Sequence, residues 1–505
     1  MEVVGSIDQG TQSTRFTLYD RDAKSIGSYR VEFSPICPKP GWCEHDPETI
    51  WNSVVESISK CVEAAEKTHG PLKVLSIGIT NQRETTLVWD RATGKPLYTA
   101  IVWLDCRTRD VCKKLVEEVG DKDYFREVTG LPVSTYFSGV KLRWMIENIP
   151  EVKEAVEAKT CCFGTVETWL IYKLTGGDDG GVHATDVSNA SRTLMMDLGG
   201  RKWHEPYLKH FGANIDIMPR ILSNVEVFGH VKEGPLKGVP IGGSLGDQQA
   251  AILGQRCMVG EAKNTYGTGC FMLLNTGDKM VPSTHGLLST MAWQLGPEKT
   301  PQYALEGSVA MGGATISWLR DQLGIISTAA ESESVASGVT DTGGVYFVPA
   351  FSGLLAPHWR DDARGVIVGL TGYSTKAHIV RAALEAICFQ TREILDAMRK
   401  DADLEGLKKL KVDGGAAENT TLMQIQADLL QVEVERPEDR ETTSLGAAFA
   451  AGLSVGFYTE QQIFENRPEG SDSFQPKVAP AEAEKRYSKW HKAVLRSMDL
   501  EDLAE

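Results

Sequence analysis

The chain has 505 residues, of which 42% are hydrophobic and 24% are charged, and its formal net charge is −15. This length and composition predict a globular protein of two or three domains, because single hydrophobic cores stop growing at about 250–300 residues. The acidic balance argues against nucleic acid or an anionic membrane surface as the main partner, while it leaves room for a local phosphate site.

The chain begins with two predicted strands joined by a polar turn. Residues 3–7 are a short apolar run typical of a buried strand, and residues 16–20 alternate apolar and polar side chains. Residues 8–14 between them are rich in hydrogen-bond donors, and Gly10 lets the backbone approach a ligand closely. Such a turn suits a phosphate group, which needs backbone N–H groups and a cation such as Arg15.

Predicted strands and helices alternate along the rest of the chain, which favours an α/β fold. Residues 47–66 and 376–399 place apolar side chains at helical intervals, and residues 74–80 form a buried-strand run. Residues 87–89 and 100–103 flank a turn sequence and predict a hairpin.

Two further glycine turns follow predicted strands. Residues 267–269 (Gly-Thr-Gly) precede an apolar strand at 271–274 and repeat the Gly-Thr pair of residues 10–11, and residues 413–419 form the third turn. The repetition suggests two related domains that each present a Gly-Thr turn to a shared cleft; the alternative is coincidence between two short turns. The sequence has no P-loop and no G-x-G-x-x-G in a suitable context, so the usual nucleotide motifs do not explain these turns.

Two aspartates lie in turns of this kind. Asp8 is in the first turn, and Asp247 follows a run of small residues and precedes an apparent helix. Asp247 could simply cap that helix. The functional alternative is a general base that accepts a hydroxyl proton during phosphoryl transfer, with the other aspartate helping to hold Mg²⁺.

An unbroken polar run, residues 80–86, follows the predicted strand at 74–80. One interpretation is an exposed strand end with a surface ion pair, which contributes little stability. The other is a binding site for a small neutral polyol, which carries no charge and needs donors and acceptors such as those of Arg83 and Glu84. The residues alone leave both interpretations open.

From residue 3 to about residue 495 the chain resembles the FGGY family of sugar kinases. Two family signatures carry the resemblance, namely YFSGVKLRW at 136–144 and GVIVGL at 365–370 with its continuation at 378–385. The resemblance implies an actin- and hexokinase-like (ribonuclease H-like) α/β fold, with ATP in a cleft between two domains. It also implies ATP-dependent phosphorylation of glycerol with Mg²⁺.

The resemblance further implies roles for individual residues. The N-terminal domain, residues 1–252, would hold glycerol and the catalytic base, and the C-terminal domain, residues 253–505, would hold the nucleotide. Asp247 would be the base, with Arg15 and Arg83 also acting in catalysis, and Asp8 and Asp247 would hold the metal. The residues implied to contact glycerol are Arg83, Glu84, Trp103, Tyr136, Asp247, Gln248 and Phe271. Those implied to contact ATP are Thr11, Gln12, Ser13, Arg15, Thr268, Gly313, Gly415, Ala416 and Asn419.

Three departures from the family pattern bear on ligands. Gln12 stands where many relatives have threonine, and Ser317 stands where bacterial members have a glutamine near the adenine. Residues 231–238 replace the loop with which bacterial members bind the inhibitor fructose 1,6-bisphosphate, and Gly238 falls where an arginine is expected. We therefore expect this inhibitor to be weak or inactive.

Two other functions fit parts of the pattern. A kinase for another polyol or a ketose would use the same cleft but would differ around Arg83, Glu84, Trp103 and Tyr136. An actin-like assembly protein or chaperone would bind ATP and hydrolyse it slowly, without acceleration by glycerol.

We expect a cytoplasmic homodimer or homotetramer, without membrane insertion. No apolar run approaches the roughly 20 residues of a membrane span, and the first strand occupies the place of a signal peptide's apolar region. The ten cysteines are scattered, without a C-x-x-C pair or zinc spacing, which favours reduced thiols. The oligomeric state is implied by the family resemblance.

Overall fold

The computed structural model describes residues 1–351, 353–402, 407, 409–465 and 470–504. Within these residues, helices and strands alternate and build two large sheets, which confirms the predicted α/β class. No helix in these ranges has the length and apolar character needed to cross a membrane.

The first half of the chain builds one large sheet, four two-stranded sheets and the helices around them. Its strands are Glu2–Gln9 (β1), Ser13–Tyr19 (β2), Ser25–Glu32 (β3), Glu44–His45 (β4), Lys73–Asn81 (β5), Leu87–Asp90 (β6), Ala100–Ile101 (β7), Cys161–Gly164 (β8), Ala184–Asp186 (β9), Met196–Asp197 (β10), Lys202–Trp203 (β11), Arg220–Leu222 (β12), Gly229–His230 (β13) and Pro240–Gly246 (β14). Its α-helices are Pro47–His69 (α1), Arg109–Val119 (α2), Arg126–Thr129 (α3), Ser138–Asn148 (α4), Pro150–Ala158 (α5), Val166–Leu174 (α6), Val187–Ala190 (α7), Glu205–His210 (α8) and Asp247–Gly254 (α9), with a 3₁₀ turn at Ile215–Ile217.

The second half of the chain builds the other large sheet and one two-stranded sheet. Its strands are Ala262–Tyr266 (β15), Cys270–Gly277 (β16), Leu288–Trp293 (β17), Gln302–Val309 (β18), Tyr346–Val348 (β19), Val366–Val368 (β20), Lys409–Asp413 (β21), Glu433–Arg436 (β22) and Asp472–Phe474 (β23). Its α-helices are Gly313–Asp321 (α10), Glu331–Ser337 (α11), Lys376–Asp401 (α12), Thr420–Leu430 (α13), Thr442–Ser454 (α14), Glu460–Glu465 (α15) and Pro480–Ser497 (α16), with 3₁₀ turns at Gly415–Glu418 and Glu501–Ala504.

Six strands of the second large sheet repeat the topology of the first, and β17 is an additional edge strand. The first has the strand order β13-β14-β5-β1-β2-β3, and the second has β17-β18-β16-β15-β21-β22-β23. In the first sheet, β1 pairs antiparallel with β2 and parallel with β5, and β5 pairs parallel with β14. In the second, β15 pairs antiparallel with β16 and parallel with β21, and β21 pairs parallel with β22. The repeated order supports two related domains over coincidence between two turns.

Each copy of this topology begins with a hairpin whose turn carries Gly-Thr. Because β1 continues to Gln9 and β2 starts at Ser13, the first turn is shorter than the predicted residues 8–14. The Gly10 N–H closes this turn on the Ser13 carbonyl oxygen at 2.9 Å. In the second hairpin, the Gly267 N–H donates to the Gly269 carbonyl oxygen, also at 2.9 Å. The sheets therefore hold both turns in place.

Helices α9 and α14 join the two halves. Helix α14 packs on α9 and on β1, β5 and β14 of the first sheet. Glycine permits this close approach, because a Cβ at Gly446 would collide with the Ala250 carbonyl, and one at Gly254 would collide with the Thr442 carbonyl. The crossing fixes α9, whose first residue is Asp247.

The predicted long helices are confirmed as α1 and α12, and the hairpin predicted from residues 87–89 and 100–103 is present as isolated bridges rather than as a continuous two-stranded ladder. Strand β6 pairs with β8, which lies more than 70 residues further along the chain, and Ile101 bridges to Thr86. The turn after β6 does form, since the Asp90 N–H donates to the Lys95 carbonyl oxygen at 2.9 Å. After the turn, Pro96 bridges antiparallel to Trp89 and the Leu97 N–H donates to the Val88 carbonyl oxygen at 2.9 Å, so β6 keeps contacts with the local arm in addition to its pairing with β8.

Candidate active site

A cavity of about 210 Å³ opens where the two Gly-Thr turns face each other. It is lined by ten of the predicted site residues, namely Asp8, Thr11, Arg83, Glu84, Trp103, Tyr136, Asp247, Gln248, Thr268 and Phe271. A larger cavity of about 560 Å³ lies between α1 and residues 231–236, and none of the predicted site residues lines it. The smaller cavity is therefore the candidate active site.

The floor of this cavity is a buried network of two arginines and two glutamates. Arg83 donates from Nη1 and Nη2 to the two carboxylate oxygens of Glu306, at 2.6 and 2.8 Å. Arg192 donates from Nε to Glu84 Oε1 at 2.6 Å and from Nη2 to Glu306 Oε1 at 3.2 Å. All four side chains are at most 2% exposed. The charges balance within the network, which is the condition under which buried ion pairs persist.

The burial of this network decides between the two interpretations of residues 80–86. Every residue of that run is buried, so the exposed strand end is wrong. Burial disfavours a charged Glu306, but the Arg192 and Arg83 guanidinium groups hold the pKa of that carboxyl down at about 2. Burial raises the pKa of Glu84, which Arg192 and Arg83 partly offset. Glu306 thus holds Arg83 in place, while Arg83 and Glu84 both line the cavity.

An aromatic wall stands beside these polar groups. The Trp103 ring meets the rings of Tyr136 and Phe271 edge-on, each with a centroid separation of 5.8 Å. The indole N–H of Trp103 donates to Thr11 Oγ1 at 2.9 Å, which ties the wall to the first Gly-Thr turn. A cavity with charged donors and acceptors on one side and ring faces on the other suits a small polyol, whose hydroxyl groups and carbon atoms lie on different edges.

Asp247 lies between the floor and the turns. It is the first residue of α9 and the N-cap position belongs to Gly246, so Asp247 is not the N-cap residue. The Arg83 Nε lies 3.1 Å from Asp247 Oδ1, and the Gln248 N–H donates to the same oxygen at 2.7 Å. Burial raises the pKa of Asp247 even though Arg83 opposes the shift. A carboxylate of raised pKa that faces a cavity is suited to accept a proton.

Asp8, the second carboxylate, lies near the end of β1, and its side chain lines the same cavity. Burial, and then the negative charge of Glu441, raise its pKa to about 7, and Asp247 contributes in the same direction. Two carboxylates that repel each other beside turns suited to phosphate provide hard oxygen ligands for Mg²⁺, which typically takes one or two carboxylates together with phosphate oxygens and water. The donor set fits Mg²⁺, although the described residues contain no group of three or more potential ligands.

The remaining predicted residues lie around the turns without lining the cavity. Arg15 forms an ion pair with Glu441, just ahead of α14, and Gln12 and Ser13 follow Thr11 in the first hairpin. In the second half, Gly313 lies beside the second Gly-Thr turn, since its N–H donates to the Gly267 carbonyl oxygen at 2.8 Å. A Cβ on Gly313 would lie 3.7 Å from that of Ala416.

Gly415 and Asn419, the two other residues predicted to contact ATP, lie in the second half of the chain, between β21 and α13. Gly415 begins the 3₁₀ turn that Ala416 continues, and it is exposed. Asn419 caps α13, because its side chain accepts a hydrogen bond from the Leu422 N–H at 2.8 Å. Asn419 also donates from Nδ2 to Ser332 Oγ at 3.1 Å, so its amide already has partners within the fold.

Comparison with known proteins agrees with this geometry. Residues 3–254 match the N-terminal domain of the FGGY family of carbohydrate kinases, and residues 262–455 match its C-terminal domain. The chain belongs to the FGGY family of carbohydrate kinases. A glycerol kinase from Arabidopsis thaliana is 51% identical, over 99% of this chain and 98% of its own length. A glycerol kinase from Brucella anthropi is also 51% identical, over 98% and 99%.

Solved structures of FGGY kinases superpose closely on this one. The Plasmodium falciparum glycerol kinase with ADP has a TM-score of 0.90 and 41% identity, with 98% of each chain covered. The xylulose kinase from Lactobacillus acidophilus has a TM-score of 0.84 at 22% identity, with 98% of each chain covered, which shows a shared fold alone. The two-domain actin- and hexokinase-like fold implied by the sequence is confirmed.

Sequence reasoning missed three residues of this FGGY site. Glu306 and Arg192 hold Arg83 and Glu84, and Lys263 donates to Gln248 Oε1 and, at 2.8 Å, to Thr265 Oγ1. Burial lowers the pKa of Lys263 to about 8. Glu306 lies in the run YALEGS (303–308) and Lys263 in the run AKNTYGTGCFM (262–272), so a charged residue within an apolar strand pattern was a signal that could have identified both. Arg192 carried no such signal, because it follows a four-residue helix of ordinary composition.

Proposed function

We propose that this FGGY kinase is an ATP:glycerol 3-phosphotransferase, which transfers the γ-phosphoryl group of ATP to glycerol and forms sn-glycerol 3-phosphate. The observation that carries the proposal is the buried Arg83–Glu84 site, with its aromatic wall, directly beside Asp247. The relatives with about half of their residues identical to this chain are glycerol kinases, which favours glycerol over a ketose or gluconate.

Glycerol lies on the floor of the cavity. Arg83 donates hydrogen bonds to its hydroxyl groups, and Glu84, Tyr136 and Gln248 supply further partners. Trp103 and Phe271 pack against its carbon edge. A site that hydrogen-bonds every hydroxyl rejects analogues that lack one, because buried polar groups would be left unpaired.

Transfer is an in-line displacement at phosphorus. Asp247 accepts the proton of the attacking hydroxyl, the hydroxyl oxygen bonds to the γ-phosphorus, and the bond to the β–γ bridging oxygen breaks to release ADP. Asp247 needs only a modestly raised pKa, because the alcohol proton leaves late in a loose transition state. Most of the acceleration comes from positioning and electrostatics, which the fixed Arg83 and the two turns supply.

The phosphates of ATP lie against the two Gly-Thr turns. Thr11 and Thr268 line the cavity, and Arg15, Gln12 and Ser13 extend the site from the first hairpin. Gly313, Gly415, Ala416 and Asn419 form its nucleotide side in the second half. Asp8 and Asp247 would hold Mg²⁺, which when bound offsets the negative charge of the phosphates. We place the division between the two domains at residues 1–252 and 253–505.

The assembly and the location of the protein are part of the proposal. We infer that the chain acts as a homodimer or homotetramer in the cytoplasm, with glycerol and ATP as its partners. Size-exclusion chromatography with light scattering measures the assembly, and a mass of one chain would contradict it.

The function is tested by ADP release from Mg-ATP with and without glycerol. Strong stimulation by glycerol, lost in Asp247→Asn, is the expected result. ATP turnover that is equal without glycerol would contradict the polyol site and would favour an actin-like assembly protein. Stimulation by a pentulose or gluconate in place of glycerol would keep the reaction and change the acceptor.

A further inference from the structure

A short hairpin over residues 36–44 lies beside the candidate active site. The Ile36 N–H donates to the Glu44 carbonyl oxygen at 2.8 Å, and the Glu44 N–H donates back to the Ile36 carbonyl oxygen at 2.9 Å. At its tip, the Trp42 N–H donates to the Lys39 carbonyl oxygen at 3.0 Å. The turn has proline followed by Gly41 with φ +76°, the pattern of a type II turn. The hairpin is therefore a defined element of the fold.

Two cysteines lie opposite each other in this hairpin. Since Ile36 and Glu44 form a hydrogen-bonded pair, Cys37 and Cys43 occupy the next, non-hydrogen-bonded pair. Such pairs have Cα atoms about 4.5 Å apart and side chains on one face, within the roughly 4.4–6.8 Å that a disulfide spans. The Cys37 thiol is close enough to Cys43 to raise the pKa of the Cys43 thiol. A disulfide would need little movement of the backbone.

Access to solvent distinguishes this pair from other neighbouring cysteines. Cys37 is exposed, whereas Cys43 is buried. Cys161 and Cys162 are adjacent but both buried, and Cys270 and Cys388 interact but are also both buried. All ten cysteines lie in the described residues and are free thiols. Among these neighbouring pairs of the described residues, only Cys37 and Cys43 combine opposed positions in a hairpin with an exposed member.

We propose that Cys37 and Cys43 are a reversible oxidation site, which closes to an intrachain disulfide when the protein meets a peroxide and reopens with a dithiol. In the first step, the Cys37 sulfur bonds to one oxygen of hydrogen peroxide and becomes a sulfenic acid, while the O–O bond breaks and the other oxygen leaves as water. In the second, the Cys43 sulfur attacks the Cys37 sulfur, and a second molecule of water leaves. The two thiols are oxidised by two electrons in total, and the peroxide is reduced by two.

Burial slows the second step and gives it a pH dependence. It raises the pKa of the Cys43 thiol to about 12, and the neighbouring Cys37 contributes in the same direction. Since the thiolate is the nucleophile, closure becomes faster as the pH rises. Cys37 acts on the Cys43 thiol from the opposite strand of the same hairpin. Asp105 and Arg107 are the charged residues that act on this thiol.

The hairpin is bonded to the segment that carries Trp103. The Val102 N–H donates to the Cys43 carbonyl oxygen at 3.0 Å, and the Cys106 N–H donates to the Gly41 carbonyl oxygen at 2.8 Å. The Cys43 N–H donates to the carboxylate of Asp105. Disulfide closure therefore acts on the backbone on both sides of Trp103, and so on the polyol side of the cavity.

The proposal is tested by peptide mapping of the full-length protein. Trypsin releases residues 31–60 as one peptide, because the Lys39–Pro40 bond resists cleavage, and this peptide holds Cys37 and Cys43 as its only cysteines. The protein is treated with hydrogen peroxide or with dithiothreitol, denatured, and alkylated with N-ethylmaleimide. After oxidation, the peptide is expected to be lighter by two hydrogen atoms and to carry no alkyl group. After reduction, it is expected to carry two.

Variants and alternative products make this measurement decisive. Cys37→Ser and Cys43→Ser are expected to lose the internal link, and Cys106→Ser, a neighbouring thiol, is expected to keep it. Two alkyl groups after oxidation, a sulfinic acid on Cys37, or a link between Cys37 and Cys106 would each overturn the proposal. If Cys43→Ser unfolds, Cys37→Ser still tests it, because that side chain is exposed.

A kinetic measurement tests the coupling to Trp103, and this part rests on the proposed function. Oxidation is expected to change the KM for glycerol by about 2- to 5-fold and to leave the KM for ATP unchanged, with no such change in Cys37→Ser. A disulfide with an unchanged KM for glycerol would overturn the coupling. Absence of any glycerol kinase activity would contradict the proposed function and would leave the peptide map unaffected.

Discussion

The polyol side and the phosphate side of the cavity treat their charges in opposite ways. On the polyol side, the guanidinium groups of Arg83 and Arg192 both donate hydrogen bonds to the carboxylate of Glu306. On the phosphate side, Asp8 has a pKa of about 7, because burial and Glu441 outweigh its attraction to Arg15. The charges of the polyol side are already paired, whereas Asp8 on the phosphate side carries an unfavourable negative charge when it is ionised.

This difference implies that the two sides of the cavity respond differently to the binding of their ligands. A paired network presents donors in fixed directions, so little reorganisation accompanies the binding of glycerol or the reaction. A pair of repelling carboxylates becomes favourable only when a cation arrives with the phosphates. We therefore expect changes on the polyol side to weaken glycerol binding, and changes on the phosphate side to trade activity against the stability of the ligand-free protein.

The largest expected effect is at the junction of the two sides. Asp247→Asn removes the proton acceptor, so kcat for glycerol phosphorylation is expected to fall by about 10³-fold or more. The measurement is glycerol-stimulated ADP release in a coupled assay. The exposed aspartate Asp110 on α2 provides a control, since Asp110→Asn should retain full activity. A fall of less than 10-fold in Asp247→Asn would remove Asp247 from the role of base.

The next effect breaks the pairing on the polyol side. Glu306→Gln leaves Arg83 and Arg192 less well oriented, and kcat/KM for glycerol is expected to fall by about 10²-fold, mainly through KM. The KM for ATP is expected to stay within about 2-fold of its original value. Steady-state kinetics with each substrate varied in turn separates these two effects.

A matched control distinguishes positioning from a general loss of stability. Glu385 is also buried and paired with arginines, Arg381 and Arg486, but it lies on α12 away from the cavity. Glu385→Gln is expected to lower Tm without raising the KM for glycerol. If both variants raised that KM equally, the role of Glu306 would be structural only.

A smaller effect is expected on the phosphate side, where the charge of Asp8 lowers the stability of the ligand-free protein. The pKa of Asp8 is raised from 3.8 in the unfolded chain to about 7 in the folded protein. The folded protein therefore binds this proton more tightly, so the unfavourable contribution of Asp8 to stability is absent below pH 4, grows as the pH rises, and is complete above pH 7. Asp8→Asn is expected to raise the Tm of the ligand-free protein by several degrees at pH 8 and by much less at pH 5.

Two observations check this assignment. Differential scanning fluorimetry without Mg²⁺ or ATP measures the change in Tm, and a steady-state assay should find the same variant nearly inactive. A Tm that changed equally at both pH values, or that fell at pH 8, would contradict the view that Asp8 carries an unfavourable charge.

The smallest expected effect lies outside both sides of the cavity. Fructose 1,6-bisphosphate at micromolar concentration is expected to leave activity unchanged, because residues 231–238 have Gly238 where an arginine would bind the phosphate. Gly238 has φ +84°, a conformation that an arginine rarely adopts. Inhibition in the steady-state assay by micromolar inhibitor would show that this segment, or the cavity beside it, binds the sugar phosphate by other contacts.

Much of the fold and part of the site could be predicted from the sequence. The apolar periodicity of α1 and α12 and the strand runs of β1 and β5 are local signals, and the structure confirms them. The repeated Gly-Thr turn correctly suggested two related domains. The turn after β6 and the bridges that follow it were also predicted from local sequence, whereas the ladder that β6 forms with β8 was not, because no local pattern specifies so distant a partner.

The sequence by itself determined the local features: the class of the fold, the two turns suited to phosphate, and the presence of Asp8, Asp247, Arg83 and Glu84 in polar turns or strand ends. These follow from hydrophobic periodicity and turn chemistry, which act over a few residues. Only the tertiary structure decided which charges meet, because the partners are far apart in the chain. Arg83 binds Glu306 across 223 positions, and Arg192 binds Glu84 across 108. Pairing and burial, not residue type, make the polyol side of the cavity preorganised. On the phosphate side they leave carboxylates whose charges a cation would neutralise.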